Sequence, residues 1–141
     1  MESGTGHFSR FECIVAGTPI SSQSANRERL RDWKQSVRQS ARAAWSGPLV
    51  REPIYLKVTY FYVGFDGGLD NDNILKPIQD ALEGVVFEDD HLVHIVTVIR
   101  CNLDREFAVP TTSRNVVQAL ERRRDFVHVV VDRLPAFEDL P

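Results

Sequence analysis

Residues 53–63 alternate. Ile54, Leu56, Val58, Tyr60 and Tyr62 fall on one side, and Tyr55, Lys57, Thr59 and Phe61 on the other. A period of two sustained over that length is a strand with one face wetter than the other. Gly64-Phe65-Asp66-Gly67-Gly68 then breaks the pattern. From about 73 to 83 the period becomes helical, with Ile74, Leu75, Ile78, Ala81 and Leu82 on the apolar face and Gly84 as the stop. Residues 92–101 are β-rich and apolar on both faces, which predicts a central strand. Strand, helix and strand in immediate succession leave few fold classes open.

The flanks extend the same alternation of elements. Residues 8–15 read as a first strand, and 17–24, with Gly17, Pro19 and serines, as a loop. Residues 26–45 read as a helix, because Leu30, Trp33, Val37, Ala41 and Ala44 recur at spacings of three and four; Gly47-Pro48 ends it. Residues 113–123 suggest a short helix ending in Arg122-Arg123-Arg124. Residues 125–133 suggest a last strand with Val127, Val129 and Val131 on one side. The tail, 134–141, is acidic and Pro-capped and reads as loose. The order predicts one α/β (α+β) domain over residues 1–141, a mixed sheet of about four strands flanked by two or three helices.

With 141 residues, 43% apolar and 26% charged, the chain can bury a core and is not intrinsically disordered. No apolar run approaches the roughly 20 residues that span a bilayer. The N-terminus lacks the apolar stretch of a secretory signal, so a cytoplasmic location and no membrane partner are expected. Cys13 and Cys101 can make neither a disulfide framework nor a four-ligand zinc site, and read as buried thiols. Trp33 and Trp45 read as core and helix-end packing.

The net charge of −3 hides a segregation. Residues 27–42 carry a local +4, from Arg27, Arg29, Arg31, Lys34, Arg38 and Arg42 against Glu28 and Asp32. Residues 66–90 carry a local −7, and Arg114 with Arg122–Arg124 are basic again. Acid between two basic segments suits a metal-dependent enzyme acting on a polyanion; solvated helix faces around an acidic loop would look the same.

The acidic segment has internal order. If extended, Asp70 and Asp72 share one face and can grip a hard cation; Asp72 also sits where a helix N-cap belongs. Lys76 follows Asp72 by one helical turn, which places its ammonium beside the carboxylates. Asp89 and Asp90 lie on the turn entering the next strand. A strand–helix–strand path is expected to return them to the same end of the sheet as Asp70. Three gathered carboxylates repel one another unless a cation binds, and Mg²⁺ prefers such oxygen ligands. With Lys76 holding the scissile phosphate, these are the parts for phosphodiester hydrolysis. A calcium loop of the EF-hand type starting at Asp70 fails, because Ile74 and Leu75 stand where a ligand and a Gly are needed. Asp80 can instead pair with Lys76 on the helix surface. Pro77 falls early in the helix, where a missing N–H costs less. His91 is a possible neighbour of the metal, while His94 and His128 read as ordinary strand residues.

The run Asp70-x-Asp72-Asn73-x-x-Lys76-Pro77-x-x-Asp80-Ala81-Leu82, followed by Asp89-Asp90, resembles the signature of the RusA family of Holliday-junction resolvases, common in phages. The resemblance covers roughly residues 8–100; the stretch 102–124 has no counterpart in it. It implies a small homodimer that binds four-way DNA junctions and cuts opposed strands with Mg²⁺, for which Mn²⁺ substitutes. It maps the metal-holding carboxylates onto Asp70, Asp72 and Asp90 and the essential lysine onto Lys76. Asn73 and Asp89 are expected beside them as residues that orient the ligands. Arg27, Arg29, Arg31 and Lys34 are candidate contacts to DNA phosphates, since a basic helix near an anionic metal site guides backbone to it. The rival expectations are a non-catalytic module that binds DNA structure and a protein-interaction domain of a mobile element.

Overall fold

A computed structural model describes residues 10–105 and 113–135. Its elements are β1 (Phe11–Ala16), α1 (Arg27–Ala44), β2 (Ile54–Tyr62), α2 (Asn71–Leu82), a 3-10 turn (Asp90–Leu92), β3 (Val93–Asn102), α3 (Arg114–Leu120) and β4 (Phe126–Arg133). The strands form one mixed sheet in the order β1-β4-β2-β3. β4 runs antiparallel to both β1 and β2, and β2 runs parallel to β3. The expected α+β class and small mixed sheet are what the chain forms.

The alternation in β2 sends Ile54, Leu56, Val58 and Tyr60 into the main core. Val127, Val129 and Val131 of β4 and Phe11, Cys13 and Val15 of β1 join them. Trp33, Val37 and Ala41 of α1 and Ile74, Ile78, Ala81 and Leu82 of α2 cover that face. Both cysteines are buried free thiols. Burial pushes the Cys13 thiol up to about 12, so it is inert at neutral pH. Trp33 is core, and Trp45 closes the end of α1 edge-on to Phe11, with ring centroids 6.1 Å apart.

The opposite face is only partly covered, by α3. There Phe61 and Phe126 stack at 4.6 Å over Val116 and Ala119. The same face holds a partly buried polar knot. Glu12 accepts hydrogen bonds from Ser113 Oγ (2.9 Å), Asn115 Nδ2 (2.7 Å) and Arg10 Nη1 (3.0 Å), tying the start of α3 to β1. His128, 1% exposed, puts Nε2 3.2 Å from Glu12 Oε2. That contact lies off the line of a hydrogen bond, and the ring nitrogens have no hydrogen-bond partner. Burial lowers the pKa of His128 and keeps the ring neutral. Burial would raise Glu12, but the contacts to Ser113, His128, Arg10 and Asn115 prevail and hold its carboxyl below the usual range.

Several expectations need correction. β3 is an edge strand, not a central one, and Val96 on it is exposed. The central strands are β2 and β4; Val127, Val129 and Val131 share one face of β4 as expected, and the strand is buried on both faces from Phe126 through Val131. The first strand begins at Phe11; positions 8 and 9 and the tail from 136 lie outside the described residues. The second helix starts at Asn71 with Asp70 as its N-cap, so Asp72 is in the first turn rather than at the cap. Asp70 is extended and Asp72 helical, so they are not paired on one extended face. The third helix ends at Leu120, and Arg122–Arg124 form the turn beyond it. Gly84 stops α2 as expected, at φ +83°, a backbone region that a side chain would strain.

Candidate active site

Parallel pairing of β2 with β3 decides where the acids go. Ile54 lies opposite Val93 and Tyr62 opposite Asn102, so the two strands start at one end of the sheet and finish at the other. The helix between them must run back along the sheet. Asp70 and Asp72, at its beginning, stay where β2 finishes. There Arg100 Nη1 donates to the Leu69 carbonyl at 2.8 Å and to Asp66 Oδ2 at 3.1 Å, fastening the loop to the end of β3. Asp89 and Asp90 lie where β3 begins. There Val50 N–H donates to Val86 O at 2.9 Å and Glu88 N–H to Val50 O at 3.0 Å. The 12 residues of α2 rise about 18 Å between these two ends. Within one chain Asp70 and Asp72 therefore do not meet Asp90, contrary to the expectation that the path returns them to one end.

Among the described residues, the acids whose oxygens converge, within 4.8 Å, are Glu83, Asp89 and Asp90. The Asp90 N–H donates to Glu83 Oε2 at 3.1 Å, and the His91 N–H donates to Asp89 Oδ1 at 3.0 Å. His91 Nδ1 lies 2.7 Å from the same oxygen. The backbone hydrogen bond, then the ring, hold the Asp89 carboxyl below its ordinary range. Glu83 is absent from the expected site. Its signal was positional: the last acid before the Gly84 stop faces whatever the chain folds back, and here that is Asp89-Asp90.

At the other end, Asp72 and Lys76 line a shallow depression on α2 with Asp80. The Lys76 ammonium lies 3.2 Å from Asp80 Oδ1, the surface pair expected from their spacing, and Lys34 reaches the other Asp80 oxygen at 3.5 Å. Asp80 thus ties the basic helix to the lysine. Pro77 has no N–H to offer the Asn73 carbonyl one turn back. That carbonyl accepts from Ser22 N–H at 3.2 Å instead, and Asn73 Oδ1 accepts from Ser22 Oγ at 3.0 Å. Asn73 thereby latches the loop before α1 to the first turn of α2. Arg27, Arg29 and Arg31 are exposed on the first turns of α1, at this same end of the sheet.

Residues 16–106, more than half of the chain, match the family described as Endodeoxyribonuclease RusA. The chain belongs to the RusA family. No curated protein gives a significant match. The matched segment contains Asp70, Asp72, Lys76 and Asp90, and it ends before α3 and β4. RusA membership makes Holliday-junction nuclease chemistry the activity this fold serves, and RusA nucleases are metal-dependent in general. The donors at both ends of α2 are carboxylate oxygens, which fit a hard divalent cation. No helix among the described residues is long and apolar enough to cross a membrane.

Proposed function

We propose that the chain is a Mg²⁺-dependent endodeoxyribonuclease that resolves four-way or related branched DNA as a homodimer. In this reading Asp70, Asp72 and Lys76 of one protomer are completed by the partner's Asp90. The observation that carries the reading is the separation of these acids by the length of α2, inside a segment that matches a nuclease family. One copy keeps the essential carboxylates at opposite ends. Two copies related by a two-fold axis can bring unlike ends together twice, giving paired sites for paired incisions.

Asp70, Asp72 and Asp90 would hold the cation, with Asp89 and Asn73 keeping their carriers in place. Bound Mg²⁺, or Mn²⁺ in its stead, supplies polarisation of the phosphoryl oxygen and activation of water at neutral pH. Lys76, 65% exposed at its side chain, faces solvent and can leave its surface pair with Asp80 to neutralise charge on the scissile phosphate. Asp80, beside it, limits where the ammonium rests before DNA arrives. Arg27, Arg29, Arg31 and Lys34 would lead the backbone to this end.

Subunit mixing tests the arrangement. Asp72→Asn and Asp90→Asn homodimers should each fail to nick a synthetic junction. Mixed one to one and allowed to reassort, half the dimers are hybrids with one intact site in two, so nicking returns at about a quarter of the wild-type rate. No recovery from the mixture, with active wild type, refutes a site shared between protomers. A wild-type protein that binds junctions but cuts with neither Mg²⁺ nor Mn²⁺ is a DNA-structure binding module instead.

A further inference from the structure

The arginines between α3 and β4 lie outside the segment that matches the RusA family. We propose that Arg122, Arg123 and Arg124 form a second DNA-backbone contact, a phosphate-binding wall beside the Asp70 end of the sheet. The proposal rests on the nuclease reading and adds a surface to it.

Placement comes first. Phe126, at the start of β4, is paired with Ala16 at the end of β1 and with Phe61 near the end of β2. The turn carrying the arginines therefore sits at the end of the sheet where α2 begins, one strand over from the loop leading to Asp70, about 5 Å in strand spacing. The arginines line an open cavity of about 650 Å³ whose floor includes Gly17, Thr18 and Val63. A space of that size admits a sugar-phosphate unit with its flanking phosphates.

Charge comes second. The acid in this cavity is Asp125, and its oxygens are already engaged. Oδ2 accepts from Thr18 Oγ1 at 2.9 Å and from Tyr60 Oη at 2.7 Å, and Oδ1 accepts from Val63 N–H at 2.9 Å. No ion pair or side-chain hydrogen bond engages the three guanidinium groups among the described residues, so all three are open to an anionic ligand. Arginine presents a planar fork of donors suited to phosphate.

Backbone strain is the third and independent observation. Arg123 has φ +50°, the sole non-glycine at positive φ among the described residues. Glycine would take that conformation without the Cβ penalty. A long cationic side chain kept at a strained position points to a role outside folding.

Topology then joins the pieces. α1 starts at the same end of the sheet, with Arg27 and Arg29 in its first turn. The Asp70–Asp72 pair is thus flanked by a helical basic face and by this turn, and a duplex arm lying across the end meets cations on either side of the acids.

The test is binding of a fluorescein-labelled four-way junction in EDTA, read by anisotropy across a salt series, for wild type, Arg123→Gly and the triple Arg122→Ala/Arg123→Gly/Arg124→Ala. The triple variant should bind about tenfold or more weakly near physiological salt, with the slope of log affinity on log salt shallower by about one to three. Arg123→Gly should weaken binding while its melting temperature is unchanged or raised, which a structural role would not produce. Wild-type affinity within twofold and an unchanged slope in the triple variant overturn the proposal and leave the nuclease reading intact. A wild-type protein that binds no junction overturns both. Should the triple variant melt early, the all-lysine replacement decides: recovered affinity supports the phosphate contact, and continued loss refutes it.

Discussion

Asp125→Ala removes one acceptor that three donors share. Thr18 Oγ1 and Val63 N–H lie near solvent and can turn to water at little cost. The Tyr60 hydroxyl cannot, because Tyr60 is 0% exposed and spends its proton on the 2.7 Å bond to Asp125. Burial first, and the carboxylate second, already push the phenol pKa upward, so the group is a protonated donor at any pH of interest. A stranded buried hydroxyl costs about 1–3 kcal/mol, and the weakened loop anchors bring the expected loss to about 2–4 kcal/mol. For a chain of this size that lowers the melting temperature by roughly 6–12 °C. The second mutation carries the argument. Tyr60→Phe alone should destabilise by about 1.5 kcal/mol, by leaving a charged acceptor short of one donor. In the Asp125→Ala background the same change should stabilise, because it deletes the stranded group. Thermal melts of the four proteins in the cycle measure this directly. Additive losses, with Tyr60→Phe destabilising equally in both backgrounds, would refute the reasoning.

Folded-state pKa values of His128 and Glu12 both lie below their ordinary ones, so the native protein binds fewer protons than the unfolded chain. Stability should therefore hold from pH 6.5 up to 9.0, where the unfolded Cys13 thiol ionises and the native one does not, fall as His128 is driven to charge below 6.5, and fall again below 4.5 as Glu12 protonates; His128→Leu should flatten the first acid-side drop in a pH series of melts. Asn73→Ala removes the Ser22 Oγ bond and should cost about 0.5–1.5 kcal/mol, with faster amide exchange across 18–25 and slower junction cleavage. EDTA should abolish cutting while leaving junction binding in place, and Mn²⁺ should restore it. Lys76→Ala should lower the cleavage rate by about tenfold or more without moving the melting temperature, since its partner Asp80 keeps Lys34.

The sequence was most legible where local pattern and final burial coincide. Leu30, Trp33, Val37 and Ala41 were read as one stripe and are one buried stripe. Ala44, at the frayed end, is exposed. Ile95, Val96, Val98 and Ile99 carry the pattern of a doubly buried strand, yet β3 lies at the sheet edge. What makes it an edge is the insertion of β4 between β1 and β2, a pairing made from the far end of the chain. The candidate site was legible in its residue types but not in its assembly. Asp90 cannot lie beside Asp70 because a helix joining parallel neighbours must reverse direction. The Ser22 latch was invisible because it depends on a carbonyl left idle by a proline four residues on, and Arg123 because no local pattern announces a left-handed arginine.

The latch has a mechanical consequence. The segment that launches the basic helix and the opening turn of the acid-bearing one are bolted together through backbone, so they respond to load as one body. In the proposed reading, a DNA arm pressing on Arg27 or Arg29 would displace Asp70 and Asp72 with it, and bending of the substrate would reach the proposed cutting groups through the Ser22–Asn73 hydrogen bonds.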